Sequence, residues 1–215
     1  MKSIRYTLVA LFGLAVGLYA ANLPKTGVAG SSHDISGSGC KSCHAPHNGS
    51  LANGGTQGTG AILLWARSFP AAANTFGVYD SATMNNKSTE LGGSALTTST
   101  DVRMYSLLCL SCHDGVTSTF SSINNGSGMT NANKVGSKTP AYDSAGLTND
   151  HPVNMSHAPA NDAGLQAVAT VVASLPLYGA SNTVQCSSCH DSHNNTNTNY
   201  LRMPNNTTLC TTCHL

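Results

Sequence analysis

Apolar residues recur at helical spacing most clearly in residues 101–113. Val102, Tyr105 and Leu108 would share one face of a helix, because they lie three residues apart. Asp101 stands immediately before this run and can cap the first turn with its carboxylate. The pattern predicts a helix over residues 101–113.

A second segment, residues 162–175, has an apolar pattern that fits two kinds of element. Its β-branched run at residues 168–172 favours a strand as much as a helix. Pro176 would end either element, because proline cannot continue a helix or donate to a sheet. We therefore predict an ordered element here and leave its type open.

Stretches rich in glycine and asparagine occupy residues 48–60, 121–136 and 194–199. They contain turn-forming residues and no hydrophobic periodicity, which is typical of irregular structure. The sequence predicts a mostly irregular, coil-dominated fold with a few short helices and minimal strand.

The N-terminal residues have the pattern of a secretory signal peptide. Lys2 and Arg5 precede an apolar run at residues 7–18, and the small residues Ala20 and Ala21 follow it. We expect cleavage after a signal at residues 1–21, which leaves residues 22–215 as a single domain. The run is too short to span a bilayer, and a retained anchor is the alternative. Secretion across the inner membrane would place the chain at the outer cell surface or outside the cell, with the periplasm as the alternative.

Charge is sparse, with 9% charged residues and a formal net charge of +1. The chain therefore lacks the basic face of a nucleic-acid-binding protein and the polybasic patch of a membrane-surface protein. Large apolar residues are also too few for an ordinary core in 215 residues. A further apolar body must fill the interior.

All eight cysteines fall into four copies of one pattern, Cys-x-x-Cys-His. This pattern is the attachment signature of haem c. Its two thiols reach the two vinyl groups, and the adjacent imidazole reaches the iron. We predict four covalently attached haems c, stacked in a chain around which the polypeptide wraps, and no stable fold without them. The motifs are Cys40-Lys-Ser-Cys43-His44, Cys109-Leu-Ser-Cys112-His113, Cys186-Ser-Ser-Cys189-His190 and Cys210-Thr-Thr-Cys213-His214.

Structural zinc and a disulfide framework are the two alternatives for this many cysteines. A zinc module needs no histidine directly after every second cysteine. A disulfide framework does not space its cysteines identically four times. Both alternatives fit the pattern less well than haem c.

Nine histidines are available as axial ligands. Each motif supplies one proximal ligand to its own haem: His44, His113, His190 and His214. The other five histidines face four remaining positions, which predicts bis-histidine haems throughout. Methionine is the alternative sixth ligand, although it more often fills gaps in a core. The non-motif histidines are His33, His47, His151, His157 and His193, and the candidate methionines are Met84, Met104, Met129, Met155 and Met203.

His47 and His193 each follow a proximal ligand by three residues, His44 and His190 respectively. A histidine so close cannot reach the far face of the haem held just upstream. We therefore expect each of them to ligate a different haem and so to clamp two haems together. Two solvent-exposed histidines are the alternative.

Three non-motif histidines remain, for two ligand positions. His33 precedes Asp34, which could fix its tautomer, and His151 precedes Pro152, which favours an extended backbone. His157 has neither feature. We predict His33 and His151 as ligands and His157 as the surplus histidine, on the surface or behind another ligand.

The chain resembles the paired Cys-x-x-Cys-His multihaem cytochromes. Within them it is most similar to the OmcE-like outer-surface cytochromes of metal-reducing bacteria, a type that includes the OmcS-like filaments. The motifs that carry the resemblance span most of the chain after residue 21. They are Ser32-His33-Asp34-Ile35, Cys43-His44-Ala-Pro-His47-Asn48, Leu108-Cys109-Leu-Ser-Cys112-His113-Asp114-Gly115, Asp150-His151-Pro152-Val153 and Cys186-Ser-Ser-Cys189-His190-Asp-Ser-His193.

The resemblance implies a homopolymeric, haem-lined filament, or nanowire. In the OmcS-like filaments, the histidine three residues after the first proximal ligand reaches a haem of the next subunit. The matching residue here is His47. If this role is shared, iron coordination itself links neighbouring subunits.

The resulting hypothesis is extracellular electron transfer to acceptors such as metal oxides, with other redox proteins as partners and no enzymatic activity. A monomeric periplasmic tetrahaem carrier is the first alternative, and its assembly state would distinguish it. A reductase of a small oxyanion fits less well, because it needs an iron with an open position. A structural or adhesive surface protein would leave four redox centres unexplained.

Overall fold

The computed structural model describes residues 27–44, 64–65, 75–92, 101–113, 147–148 and 150–215. Regular elements in this part of the chain are short and widely separated, so the predicted coil-rich fold is confirmed. The helices are α1, Met104–His113; α2, Val168–Val172; α3, Cys186–Cys189; and α4, Thr207–Cys213. Short 3-10 turns cover Ile35–Gly37, Gly39–Ser42 and Thr198–Tyr200.

Strand content within the described ranges is minimal, as the sequence predicts. Strand β1, Thr75–Phe76, pairs antiparallel with β2, Leu91–Gly92. Strand β3, Met155–Ser156, pairs antiparallel with β4, Thr183–Val184. The second pair holds the segment after His151 against the segment that leads into the third motif.

Helix α1 confirms the first predicted element, although it begins three residues later than predicted. The Asp101 carboxylate accepts a hydrogen bond from the Arg103 amide at 3.0 Å. The Met104 amide donates to the Asp101 carbonyl oxygen at 3.1 Å. Asp101 therefore caps the first turn, but Val102 and Arg103 form a turn ahead of the helix.

The most buried face of α1 differs from the predicted one. Met104, Leu107 and Leu110 are almost fully buried, whereas the predicted face at Tyr105 and Leu108 is half-buried. The two faces are adjacent on the helix, and the core packs against the face that carries Met104, Leu107 and Leu110. This core is a small cluster of Phe76, Leu91, Met104, Leu107, Leu110 and Leu147.

Trp65 packs against this core from the side of the first motif. Its indole Nε1 donates a hydrogen bond to the Ser111 hydroxyl at 3.2 Å. The ring lies edge-on to the His44 imidazole, with 5.7 Å between ring centres. The indole thus joins the first and second motifs through apolar packing and one hydrogen bond.

In the second predicted segment, only Val168–Val172 forms a helix, so the helical interpretation is correct and the strand is not. Val171 and Leu175 are buried, which anchors this short element. Of the predicted coil at residues 194–199, residues 194–197 are irregular, with a bend at 196–197, and 198–199 lie in the last 3-10 turn. The signal at residues 1–21 and the coils at 48–60 and 121–136 lie outside the described residues. No described helix is long and apolar enough to cross a membrane.

A buried polar network joins α1 to the third motif. The Ser106 hydroxyl donates to Gln185 Oε1 at 2.6 Å and accepts from the Cys186 amide at 3.0 Å. Gln185 Nε2 donates to Asn154 Oδ1 at 3.0 Å, and Asn154 Nδ2 donates to Thr89 Oγ1 at 2.8 Å. The network satisfies these buried polar groups and fixes the second motif against the third.

Candidate haem-binding sites

Each described motif forms one tight turn that brings its two thiols to the same side. The first motif uses a 3-10 turn, the second lies at the end of α1, and the third and fourth lie in α3 and α4. In three motifs the histidine amide donates to the carbonyl oxygen of the first cysteine, at 2.9–3.1 Å. These three histidines are His44, His190 and His214. The turn thus fixes the imidazole next to the thiols.

A buried serine before the second cysteine holds three of the four turns, a feature that the sequence analysis did not recognise. The Ser42 hydroxyl accepts from the Ile35 amide at 3.0 Å, and the Ser188 hydroxyl accepts from the Gln185 amide at 3.0 Å. The Ser111 hydroxyl donates to the Leu108 carbonyl oxygen at 2.7 Å. The recurrence of serine at this position, with threonine in the fourth motif, was the available signal.

Six of the candidate ligand histidines lie in three pairs. The ring centres of His33 and His113 are 6.2 Å apart, those of His44 and His193 are 6.2 Å apart, and those of His151 and His214 are 6.3 Å apart. Each pair combines one motif histidine with one histidine from outside the motifs.

The spacing of these pairs fits two imidazoles on opposite sides of one metal ion. Two metal–nitrogen bonds of about 2 Å and two ring radii of about 1 Å place ring centres about 6 Å apart. Direct ring stacking would bring the centres closer than this. The residues present therefore fit an iron between each pair of rings.

The remaining motif histidine, His190 of the third motif, has no such partner among the described residues. Its Nδ1 lies 2.8 Å from the Asn199 carbonyl oxygen, which fixes the tautomer and leaves Nε2 as the metal-binding atom. Asn199 adopts a left-handed conformation with φ 58°, which turns its carbonyl toward the ring. His47, the remaining predicted ligand, lies outside the described residues.

His157 is buried, with 4% of its surface exposed. The predicted position on the surface is therefore wrong. Its Nε2 lies 2.8 Å from the Gln166 carbonyl oxygen. The Gln166 amide donates to the Cys213 carbonyl oxygen at 2.9 Å. His157 thus braces the segment that holds the fourth motif, and it pairs with no other histidine of the described ranges.

His33 is half-buried, but one of its ring nitrogens is fully enclosed. Its Nδ1 is buried and makes no hydrogen bond within the described part of the chain. Burial, with the nearby His193 and His190, lowers the pKa of His33, and burial also lowers the pKa of His151. Both rings are thus kept neutral, the form that binds a metal.

Asp34 does not fix the tautomer of His33, so this expectation is wrong. Its carboxylate instead accepts from the Gly30 amide at 2.8 Å and the Gly39 amide at 2.6 Å. Two backbone donors outcompete the neighbouring ring for the carboxylate. His33 is held by Tyr200, whose ring centre lies 4.2 Å from the imidazole and whose hydroxyl accepts from the His33 amide.

The second and third motifs meet at their first cysteines. A hydrogen bond from the Cys109 thiol to Cys186 raises the pKa of Cys109 well above its usual value. The same bond lowers the pKa of Cys186 to about 7. Each of these two sulfurs would hold one haem c through a thioether bond.

The alternatives to haem find little support in the site. No disulfide joins any two of the eight cysteines, so the structure gives no support to a disulfide framework. Within the described residues, no group of three or more histidine, cysteine or acidic side chains could hold a metal ion alone. Paired imidazoles beside Cys-x-x-Cys turns remain the arrangement that these residues build.

One comparison with known proteins bears directly on the motifs. A family model described as "Doubled CXXCH motif" matches residues 179–215, which contain the third and fourth motifs. The match supports a c-type cytochrome-like protein. The motifs accordingly indicate covalently bound haem c and electron transfer by a multihaem cytochrome. No curated protein matches the chain.

Proposed function

We propose that this c-type cytochrome carries four haems c and transfers electrons outside the inner membrane as a filament-forming conduit, not as an enzyme. The observation that carries the proposal is the set of three imidazole pairs, with ring centres 6.2–6.3 Å apart. Each pair would close the coordination of one iron.

From these pairs we propose the ligands of three haems. The haem on the first motif would be held by His44 and His193, and the haem on the second motif by His113 and His33. The haem on the fourth motif would be held by His214 and His151. Each ligand from outside a motif thus comes from a distant part of the chain, so haem binding would hold the coil-rich fold together.

The haem of the third motif would take His190 as its first ligand. No described histidine pairs with His190, and His157 is engaged by Gln166. We propose His47 of a neighbouring subunit as the second ligand. The resemblance to the OmcS-like filaments supports this assignment, and the histidine count of the chain allows it.

Closed coordination suits electron transfer. Bound haem would supply the one-electron chemistry, while two imidazoles of the protein would close each iron against substrate. The four motifs also lie close together, with Cys109 against Cys186 and Cys189 near Cys213. Electrons would therefore pass between neighbouring haems, and the exposed Cys40 and Cys210 would mark haem edges near the surface.

Intact mass and magnetic resonance of the exported protein test this proposal. We expect a mass that corresponds to four attached haems and low-spin signals from the oxidised filament. A mass with three or fewer haems, or a dominant high-spin signal, would overturn the assignment. Electron microscopy would separate the filament from a monomeric periplasmic carrier, because only the filament requires contacts between subunits.

A further inference from the structure

One candidate ligand, His193, has a carboxylate behind it. Asp191 Oδ1 lies 3.4 Å from His193 Nδ1 and also accepts from the His193 amide at 3.0 Å. The Asp191 side chain is only 15% exposed, whereas the His193 side chain is 39% exposed. The ring and the carboxylate are thus held together by two interactions.

Arg202 holds the other oxygen of the same carboxylate. Its Nη1 lies 3.2 Å from Asp191 Oδ2, and its Nε donates to the Ser187 carbonyl oxygen at 2.9 Å. The Asp191 amide donates to the Tyr200 carbonyl oxygen at 2.7 Å. These contacts fix the carboxylate against the third motif, so its distance to His193 is set by the fold.

The other imidazoles with a described Nδ1 environment differ from His193. His190 and His151 face carbonyl oxygens, at 2.8 Å and 3.0 Å, and the Nδ1 of His33 has no partner among the described residues. A carboxylate draws the Nδ1 proton more strongly than a carbonyl oxygen does. An imidazole whose Nδ1 faces a carboxylate is therefore a stronger electron donor to its metal than one whose Nδ1 faces a carbonyl oxygen.

We propose that Asp191 is a positioning residue for His193 and makes the haem held by His44 and His193 the one with the lowest reduction potential. The inference rests on the proposed function. A stronger donor stabilises the ferric state, which lowers the potential. The haem held by His33 and His113 should lie higher, because no described residue hydrogen-bonds to Nδ1 of His33.

The variant Asp191→Asn tests this directly. Asparagine keeps the shape and an oxygen for the His193 amide but removes the charge. We expect one of four midpoint potentials to rise by about 59 mV, a tenfold change in the equilibrium constant of that haem. The other three midpoint potentials should stay unchanged, and all four haems should remain low-spin. Four unchanged midpoints in a protein with four low-spin haems would overturn the proposal.

Asp34→Asn is the matched control. Asp34 also stands next to a candidate ligand and also accepts backbone hydrogen bonds, but its carboxylate contacts no imidazole of the described residues. We expect no selective shift of one midpoint in this variant. An equal shift in both variants would overturn a role that depends on contact with the ring.

A measurement on the unaltered protein covers the case in which Asp191→Asn does not mature. The rings of His44 and His193 are 14° from parallel, whereas the other pairs are near perpendicular, so their haems give different magnetic resonance signals. The near-parallel signal should be the last to disappear on stepwise reduction. If it disappears earlier, the proposal fails while the electron-transfer function stands. If low-spin signals are absent altogether, the proposed function fails instead.

Discussion

Ser106 donates a hydrogen bond of 2.6 Å to Gln185, although 79 positions separate them in the chain. Both side chains are almost fully buried. The Ser106 hydroxyl also accepts from the Cys186 amide, so one side chain connects α1 with the start of the third motif. The relative position of the second and third motifs therefore depends on this hydroxyl.

Replacement of Ser106 by alanine should lower the free energy of unfolding by about 1–3 kcal/mol. The Gln185 oxygen and the Cys186 amide would both stay buried and lose a partner. Denaturant unfolding of the loaded protein would measure the change. Thr83→Ala is the control, because its hydroxyl is exposed and hydrogen-bonds to the nearby Ser81 hydroxyl, and it should change stability by less than about 0.5 kcal/mol. Equal losses in both variants would contradict a special role for the buried network.

The oxidised protein should give two kinds of low-spin magnetic resonance signal. Two parallel imidazole planes interact with the same iron d orbital and separate it in energy from its partner. Perpendicular imidazole planes leave the two iron d orbitals nearly equal in energy. The interplanar angle is 14° for His44 and His193, but 78° for His33 and His113 and 69° for His151 and His214.

We therefore expect a rhombic signal from the first pair and two strongly anisotropic signals from the others. Continuous-wave spectra at low temperature would resolve them. His193→Ala should remove the rhombic signal and leave the two anisotropic ones. Loss of an anisotropic signal instead would show that His193 belongs to a different haem.

The sequence predicted those features that depend on near neighbours in the chain. The spacing of apolar residues and the cap at Asp101 located α1, and the motif turns followed from the Cys-x-x-Cys spacing. The pairing of histidines could not be predicted from the sequence, because His33 and His113 come together only through the packing of distant segments.

The acidic residues show the same limit. Asp34 and Asp191 each follow a candidate ligand directly, at His33 and His190. Only the fold decides that Asp34 binds backbone amides, while Asp191 turns to His193 instead of His190. Likewise, adjacency could not predict the left-handed Asn199, whose carbonyl meets His190.

Replacement of His157 by alanine should cost stability without changing any haem. The ring is buried and its Nε2 contacts the Gln166 carbonyl oxygen, so its loss leaves a cavity and an unpaired acceptor. We expect a loss of about 2–4 kcal/mol, measured by thermal unfolding. Four low-spin haems should remain. His151→Ala is the contrasting variant, because it should make the haem on the fourth motif high-spin. A high-spin haem in His157→Ala would show that His157 is a ligand after all.

Replacement of His47 by alanine should abolish filaments and leave all four haems attached. His190 is the one motif histidine without a partner ring among the described residues, and its Nδ1 is already held by Asn199. A ligand from a neighbouring subunit would complete its iron, and His47 is the predicted ligand that remains. The variant should form monomers or short oligomers, and its third-motif haem should become high-spin while the three paired haems stay low-spin.

Electron microscopy and magnetic resonance of His47→Ala beside His157→Ala would measure both effects on matched histidine variants. Long filaments with four low-spin haems in His47→Ala would refute the link between subunits. A monomeric variant with four low-spin haems would instead assign the second ligand of His190 to the same chain.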